Sequence, residues 1–204
     1  ALDILNNRQM LTLSDNCYFY FTYHREQPLT AGSPRSIIKN LKRKPSELLD
    51  NNGYAQFKKN EIQHVANLLS KSIDERTDLP DYVWIPAAPS KSREDPEYDD
   101  RLTQILSYLK KIKTMLKFID PFYSIESMES SRISNERDVD KKSNNLGVDY
   151  SQMESMTMEK IIIFDDMITT GSTFVAHKQR ILEKYPSAEV EGIFICKAVY
   201  PETE

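Results

Sequence analysis

Residues 161–173 read Ile161-Ile162-Ile163-Phe164-Asp165-Asp166-Met167-Ile168-Thr169-Thr170-Gly171-Ser172-Thr173. The four apolar residues at the start predict a buried strand, and two acids follow it directly. The hydroxyl-rich run with one glycine then leads into a helix predicted over residues 172–184. A buried strand that passes directly into a helix is typical of an α/β sheet.

Strands and helices alternate on both sides of this unit. Strands are predicted at residues 82–85, 118–125 and 191–199, and a helix is predicted to begin at Asp95-Pro96. Strand–helix–strand alternation of this kind predicts an α/β protein with a central, mostly parallel sheet flanked by helices.

Residues 126–159 are polar and show no sustained periodicity. A stretch of this length without structure of its own is typical of a functional lid or of a disordered segment. We therefore predict a long flexible loop here, inside a core that spans residues 81–204. Residues 1–80 are predicted to form an N-terminal, hood-like embellishment with helices of its own.

Composition restricts the classes of function. The chain has 204 residues, a net charge of −4 and two cysteines far apart, Cys17 and Cys196. A protein that binds nucleic acid over its whole surface is basic, so direct nucleic-acid binding is not indicated. No apolar run approaches the roughly 20 residues of a membrane span. The cysteine spacing argues against a disulfide framework, and a reducing cytoplasm is the expected location.

The end of the central strand carries groups suited to a phosphorylated sugar. Ligands of open α/β sheets bind at the carboxyl ends of strands, where Asp165 and Asp166 are predicted to lie. Carboxylates accept hydrogen bonds from sugar hydroxyls. The next segment offers four hydroxyls, the amides of a helix start and a glycine that permits close approach to the backbone. We call it the phosphate cradle, and it consists of Thr169, Thr170, Gly171, Ser172 and Thr173.

This pattern resembles the phosphoribosyl-pyrophosphate (PRPP) signature of the type I phosphoribosyltransferase family. Four hydrophobic residues, two acids, two hydrophobic residues and Thr-Thr-Gly-Ser-Thr match that signature position by position. Two other interpretations are an ordinary buried strand followed by a capped helix, and the acidic pocket of a response regulator. The resemblance implies transfer of the phosphoribosyl group from PRPP to an acceptor, with release of pyrophosphate and with Mg²⁺ as the cofactor.

The resemblance also implies a role for each matching residue. Asp165 and Asp166 would hold the ribose hydroxyls, offset positive charge on the sugar and contact Mg²⁺, directly or through water. The phosphate cradle would bind the 5-phosphate. A loop after the strand at 82–85 would bind the pyrophosphate through Ser90, Lys91, Ser92 and Arg93. Cations of the flexible loop would reach the pyrophosphate on closure, and they are the arginines Arg132 and Arg137 and the lysines Lys141 and Lys142.

A narrower resemblance, to a ComF-like branch of that family, covers about residues 35–199. The Arg-Gly-Phe-Asn-Gln element of the branch is replaced here by Arg101-Leu102-Thr103-Gln104, and its zinc-ribbon cysteines are absent. This departure keeps a second function open, that of a non-catalytic PRPP or nucleotide sensor. The acceptor is not identified by the sequence, and a homo-oligomer or a partner protein of a larger assembly is expected.

Overall fold

The computed structural model describes residues 2–4, 10–128 and 139–199. Its helices and strands are, in chain order, β1 (Asp3–Ile4), β2 (Cys17–His24), α1 (Pro34–Leu41), α2 (Pro45–Asp50), α3 (Asn52–Glu75), β3 (Val83–Pro86), α4 (Arg101–Ile112), β4 (Lys117–Phe118), β5 (Phe122–Ser124), α5 (Val139–Asn144), β6 (Leu146–Val148), α6 (Tyr150–Glu154), β7 (Lys160–Ile168), α7 (Ser172–Lys184) and β8 (Glu189–Val199). The central unit thus forms as predicted, with β7 running into α7.

Six strands form the central sheet in the order β1-β2-β8-β7-β3-β4. β1 is antiparallel to β2, and the other five strands run parallel, which confirms the predicted α/β fold. β2 pairs with β8 from Cys17 opposite Gly192 to His24 opposite Val199. The sheet therefore extends across the boundary predicted at residue 80.

Helices cover both faces of the sheet. On one face, Ile162 and Phe164 of β7 pack in a core with α1, α3 and α4. On the other face, Ile161 and Ile163 pack in a core with α7, β5, β6 and α6. A strand buried on both faces consists of consecutive apolar residues, which explains the run at the start of β7.

The chain leaves the neighbouring strands β3 and β7 in opposite directions along the sheet. From β3 it passes through α4 to β4, and from β7 it passes through α7 to β8. Right-handed crossovers in opposite directions place α4 and α7 on opposite faces. A crevice opens at such a switch point, beyond the carboxyl ends of the two strands. The topology alone therefore marks the ends of β3 and β7 as a place for a ligand.

Two predicted boundaries are wrong for local reasons. The helix expected from Asp95 begins only at Arg101, because the Asp95 side chain accepts a hydrogen bond from the Glu97 amide at 2.8 Å and turns the chain. The strand predicted over residues 118–125 is divided into β4 and β5. Pro121 lies between them and cannot donate a ladder hydrogen bond.

The segment 126–159 has more regular structure than its sequence indicates. From residue 139 onward it forms α5, β6 and α6, and β6 pairs with β5 to close the base of the segment. Leu146 and Met153 are buried in the core shared with α7. Elements as short as α5, β6 and α6 produce no periodic pattern in the sequence. The prediction of a segment without its own structure is therefore wrong here. Arg132 and Arg137 lie outside the described residues.

The longest helix of the described chain is α3, with 24 residues. One side of α3 packs into the core through Val65, Ala66 and Leu69. Its other side carries exposed lysines and acids. Within the described ranges, no helix combines the length and the apolar character that a membrane crossing requires.

Candidate functional site

The two acids lie near the carboxyl end of β7, at the crevice between β3 and β7. Successive side chains of a strand point to opposite faces of its sheet. Asp166 follows Phe164 onto the face of α1 and α4, where it is only 2% exposed. Asp165 follows Ile163 onto the face of α7 and is half-buried. The acid pair of the sequence is thus divided between two different environments.

Two cations from distant parts of the chain hold Asp166. The Nζ atom of Lys42, which directly follows α1, lies 2.8 Å from Oδ1. Arg101, the first residue of α4, donates from Nε and Nη2 to Oδ2, with Nε at 2.8 Å. Both carboxylate oxygens of Asp166 are therefore engaged by side chains of the protein itself.

The ion pairs continue outward from Arg101. Its Nη1 atom donates to Oδ2 of Asp99 at 2.7 Å. The Nζ atom of the buried Lys58 donates to Oδ1 of Asp99 at 2.7 Å and to the Arg43 carbonyl oxygen at 2.9 Å. Cations and carboxylates thus alternate in what we call the charge chain, which consists of Lys42, Asp166, Arg101, Asp99 and Lys58.

The two acids have opposite titration behaviour. Burial and the negative charge of Asp166 raise the pKa of Asp165 above its usual range, against the opposing charges of Lys42 and Arg101. Burial also acts to raise the pKa of Asp166. There, however, the charges and hydrogen bonds of Lys42 and Arg101 outweigh it and hold the pKa below the usual range. Asp166 therefore stays ionised at neutral pH, whereas the protonation of Asp165 is more sensitive to the charges around it.

The phosphate cradle crosses from β7 into α7 as predicted. Gly171 has a φ angle of 91°, in the left-handed region that favours glycine. The first amides of a helix have no acceptor inside the helix. Among the described residues, the Ser172 amide has Thr170 Oγ1 at 3.4 Å. The start of α7 therefore presents hydroxyls and amides together, an arrangement that suits an anion.

Gly171 has a different steric role from the predicted one. A Cβ atom at this position would lie 2.8 Å from Cδ2 of Leu11. The amide of Met10 also donates to the Thr170 carbonyl oxygen at 3.0 Å. The side of Gly171 that lacks a side chain is therefore packed against the N-terminal segment. On this side the glycine serves the conformation and packing of the loop, and its predicted contact with a 5-phosphate stays a prediction.

Lys142 of α5 reaches the start of α7. Its Nζ atom lies 2.9 Å from Ser172 Oγ and 2.7 Å from Thr173 Oγ1. Burial lowers the pKa of Lys142, and the negative charge of Asp165 acts in the opposite direction. The structure thus brings this lysine to the phosphate cradle, whereas the resemblance implied a place at the pyrophosphate.

The loop predicted to bind pyrophosphate leaves β3 beside the acids. The amide of Ala87 donates to the Phe164 carbonyl oxygen at 2.8 Å, so the loop begins next to Asp165. Ser90 is exposed. The amide of Ser92 donates to Oγ of Ser127 at 3.1 Å, which ties this loop to the beginning of the segment 126–159.

The cations of that loop lie near the surface. Lys91 Nζ lies 3.7 Å from Oδ2 of Asp95. The guanidinium of Arg93 lies 5.5 Å from the ring centroid of Tyr123, and its side chain is exposed. An ion pair at 3.7 Å near the surface contributes little stability, so a phosphate group can replace Asp95 as the partner of Lys91 at little cost.

His177 connects the phosphate cradle to the loop after β3. Its Nδ1–H donates to the Thr173 carbonyl oxygen at 2.7 Å, and its Nε2 accepts from the Ala88 amide at 2.9 Å. The ring packs edge-on against Phe122, with centroids 4.7 Å apart. Burial lowers the pKa of His177 to about 4. The imidazole is therefore neutral, and its two hydrogen bonds keep the two loops at a fixed separation.

Acidification should weaken the fold through His177. A histidine whose pKa is lower in the folded state than in the unfolded state binds fewer protons when folded. Its contribution is complete above about pH 6.5 and is lost as the pH falls towards 4. We expect a loss of about 2–3 kcal/mol in the free energy of unfolding between pH 7.5 and 4.5. Urea denaturation at several pH values measures it.

The matched comparison is His177→Gln, which keeps a donor and an acceptor but does not titrate. Subtracting its pH profile from that of the wild type removes the contribution of Asp165, whose raised pKa acts in the opposite direction in part of the same range. Parallel profiles for the two proteins would refute the role given to His177.

Lys42, Arg101 and His177 are missing from the site predicted by sequence. Lys42 and Arg101 meet Asp166 only through the fold, and no spacing relates positions 42, 101 and 166. The sequence signal for these partners is the chemistry of a buried carboxylate and not the spacing of residues. A carboxylate at the end of a fully buried strand requires a cationic partner, and the end of α1 is followed by the basic run Lys42-Arg43-Lys44.

No family model matches the chain, and no curated protein matches it. Its function must accordingly be inferred from the geometry of the crevice and from the residues of the motif.

Proposed function

We propose that this protein binds PRPP with Mg²⁺ in the crevice between β3 and β7 and transfers the phosphoribosyl group to an acceptor, with release of pyrophosphate. The observation that carries this proposal is a convergence at one topological switch point. The start of α7, the half-buried Asp165 and the cationic loop after β3 all meet there. The resemblance to the PRPP signature supports the same ligand.

Asp165 is the acid that we assign to the ribose. One of its oxygens accepts the Asp166 amide at 2.7 Å, and the other has no hydrogen-bond partner among the described residues. A carboxylate in this position can accept a hydrogen bond from a sugar hydroxyl. It can also offset the positive charge that develops on the ribose as pyrophosphate departs.

Asp166 has an indirect role in this proposal. Its oxygens are taken by Lys42 and Arg101, so it fixes the end of β7 and with it the position of Asp165. The sequence assigned contact with the ribose and Mg²⁺ to both acids together, and this proposal gives them different roles. Asp165 contacts the substrate, and Asp166 is a positioning residue.

The residues present fit a magnesium ion bound together with the substrate. The described part of the chain contains no cluster of three His, Cys, Asp or Glu side chains that could enclose a metal ion. Mg²⁺ keeps several waters and takes one or two carboxylates together with phosphate oxygens. Asp165 would supply that carboxylate, since both oxygens of Asp166 are engaged. Bound there, Mg²⁺ would offset the charge of the departing pyrophosphate.

The other substrate groups have a place on the same edge of the sheet. The 5-phosphate would lie at the start of α7, in contact with Ser172 and Thr173. The pyrophosphate would lie against the loop after β3, where Lys91 and Arg93 offer two cations near the surface. Because His177 connects the two loops, the distance between the two phosphate positions is set before the ligand binds.

A second candidate function is a PRPP or nucleotide sensor without catalysis. One observation favours it: the charge chain occupies both oxygens of Asp166, which leaves a single acid for the sugar. The two candidates share the ligand and differ only in turnover.

The test is a calorimetric titration with PRPP and Mg²⁺, followed by an assay for released pyrophosphate with purine, pyrimidine and amine acceptors. We expect saturable binding of PRPP that is weakened when ribose 5-phosphate or pyrophosphate is present as a competitor. Pyrophosphate release with one class of acceptor identifies the enzyme. Binding without release for every acceptor supports the sensor, and no binding of PRPP rejects both.

A further inference from the structure

Lys142 is a half-buried cation whose hydrogen bonds go to hydroxyl groups. Its Nζ atom contacts the hydroxyls of Ser172 and Thr173, and it forms no ion pair with any carboxylate of the described residues. The start of a helix carries partial positive charge. An ammonium group at the start of α7 is therefore held where the electrostatic potential opposes it, and an anion placed there would remove the conflict.

Within the described ranges, the hydrogen bonds at this point leave donors without acceptors. A lysine ammonium has three N–H donors, and two of them are used by Ser172 and Thr173. Because each hydroxyl accepts from Lys142, its own proton is free to donate elsewhere. Ser172 Oγ also faces Thr170 Oγ1 at 3.3 Å as an acceptor. One N–H and two O–H groups thus join the first amides of α7 as donors in one place.

We propose that Lys142 is a direct ligand of a phosphate monoester bound at the start of α7, and that it orients the hydroxyls of Ser172 and Thr173 towards that phosphate. This inference rests on the proposed function, because it assigns a further residue to the same 5-phosphate position. It also gives α5 a function, since α5 carries the lysine from the segment 126–159 into the cradle. A phosphorylated ligand therefore binds a part of that segment as well as α7.

The opposite arrangement is a lysine that fills the phosphate position and has to leave before the ligand binds. The two arrangements predict opposite effects of removing the ammonium group. A ligand lysine increases affinity for phosphate monoesters, and a blocking lysine decreases it. Lys142→Met separates them, because methionine keeps an unbranched side chain without the charge.

The experiment is calorimetric titration of the full chain with ribose 5-phosphate and, separately, with inorganic phosphate. Charge-assisted hydrogen bonds of this kind are worth roughly tenfold to a hundredfold in affinity, so we expect Lys142→Met to weaken binding by that factor. The matched control is Lys71→Met, which makes the same change on an exposed side chain of α3. We expect the control to stay within about twofold of the wild type.

A second measurement on the wild type does not depend on a variant that folds. Burial lowers the pKa of Lys142, and a bound phosphate should raise it again, so binding at alkaline pH should take up a proton. Titrations in two buffers with different ionisation enthalpies detect this uptake. It should be present in the wild type and absent in Lys142→Met.

Each result decides between the possibilities. Affinity that is unchanged or increased in Lys142→Met, with a normal thermal unfolding curve, overturns the role of Lys142 and leaves the phosphate position intact. A wild type that binds neither ribose 5-phosphate nor phosphate overturns the phosphate position itself, and with it the proposed function. Weaker binding in Lys142→Met together with unchanged binding in Lys71→Met supports the proposal.

Discussion

Asp165→Asn should lower kcat for pyrophosphate release by about 10²- to 10³-fold and should weaken PRPP binding far less. The reason is that positive charge on the ribose develops only in the transition state, where a carboxylate gains far more than an amide does. The half-buried position of Asp165 strengthens this effect, because water screens its charge only in part. Steady-state kinetics with the acceptor found in the screen measure the change.

Asp166→Asn is the matched comparison, because it makes the same change one residue further along β7. We expect it to act mainly on stability, since it leaves Lys42 and Arg101 facing a neutral amide in a buried place. Calorimetry of PRPP binding and urea denaturation of both variants separate the two effects. An Asp165→Asn variant that changes only KM would contradict the assignment of Asp165 to the transition state.

Arg101→Ala should lower the free energy of unfolding by about 3–5 kcal/mol, the cost of removing one partner from a buried ion pair. Asp166 would then face only Lys42, and Asp99 would face only Lys58. The loss is large because Asp166 is 2% exposed and cannot recover its hydration. The free energy of unfolding of Arg101→Lys should lie between those of Arg101→Ala and the wild type. An ammonium keeps the positive charge but cannot reproduce the planar contacts of the guanidinium to both carboxylates.

Lys184→Ala is the control for a surface ion pair. Lys184 pairs with Glu154, whose side chain is 63% exposed, so its removal should cost less than about 1 kcal/mol. Urea denaturation at pH 7 compares the three variants with the wild type. A stability of Arg101→Ala within about 1 kcal/mol of the wild type would show that the charge chain does not hold the end of β7 in place.

The fold could be predicted from the sequence where the physical signal is local. The run Ile161–Phe164 indicates a strand buried on both faces, and the apolar spacing that follows gives the limits of α7. The position of the site also follows from local information, since acids and hydroxyls at a strand end indicate a ligand in any open α/β sheet.

The partners of these residues could not be predicted, because they come from distant parts of the chain. Leu11 leaves no room for a side chain at position 171, and Lys42 and Arg101 neutralise Asp166. Each of these contacts exists only after the sheet has formed. The strand period also separates Asp165 from Asp166, although adjacency in sequence indicates a common role. Local sequence patterns therefore indicate where the site is, and the fold determines which role each site residue can have.

A fragment that begins at residue 81 would lose more than a peripheral segment. Without β2, the 11-residue strand β8 would become a sheet edge, and most of its residues are buried in the intact chain. Long apolar edges recruit strands from other molecules, so such a fragment would tend to aggregate. It would also lack Lys42 and Lys58, leaving the buried Asp166 and the half-buried Asp99 to share Arg101. The first 80 residues therefore cover the edge of β8 and supply two of the cations that pair with Asp166 and Asp99, and a shortened chain for crystallisation or engineering has to retain them.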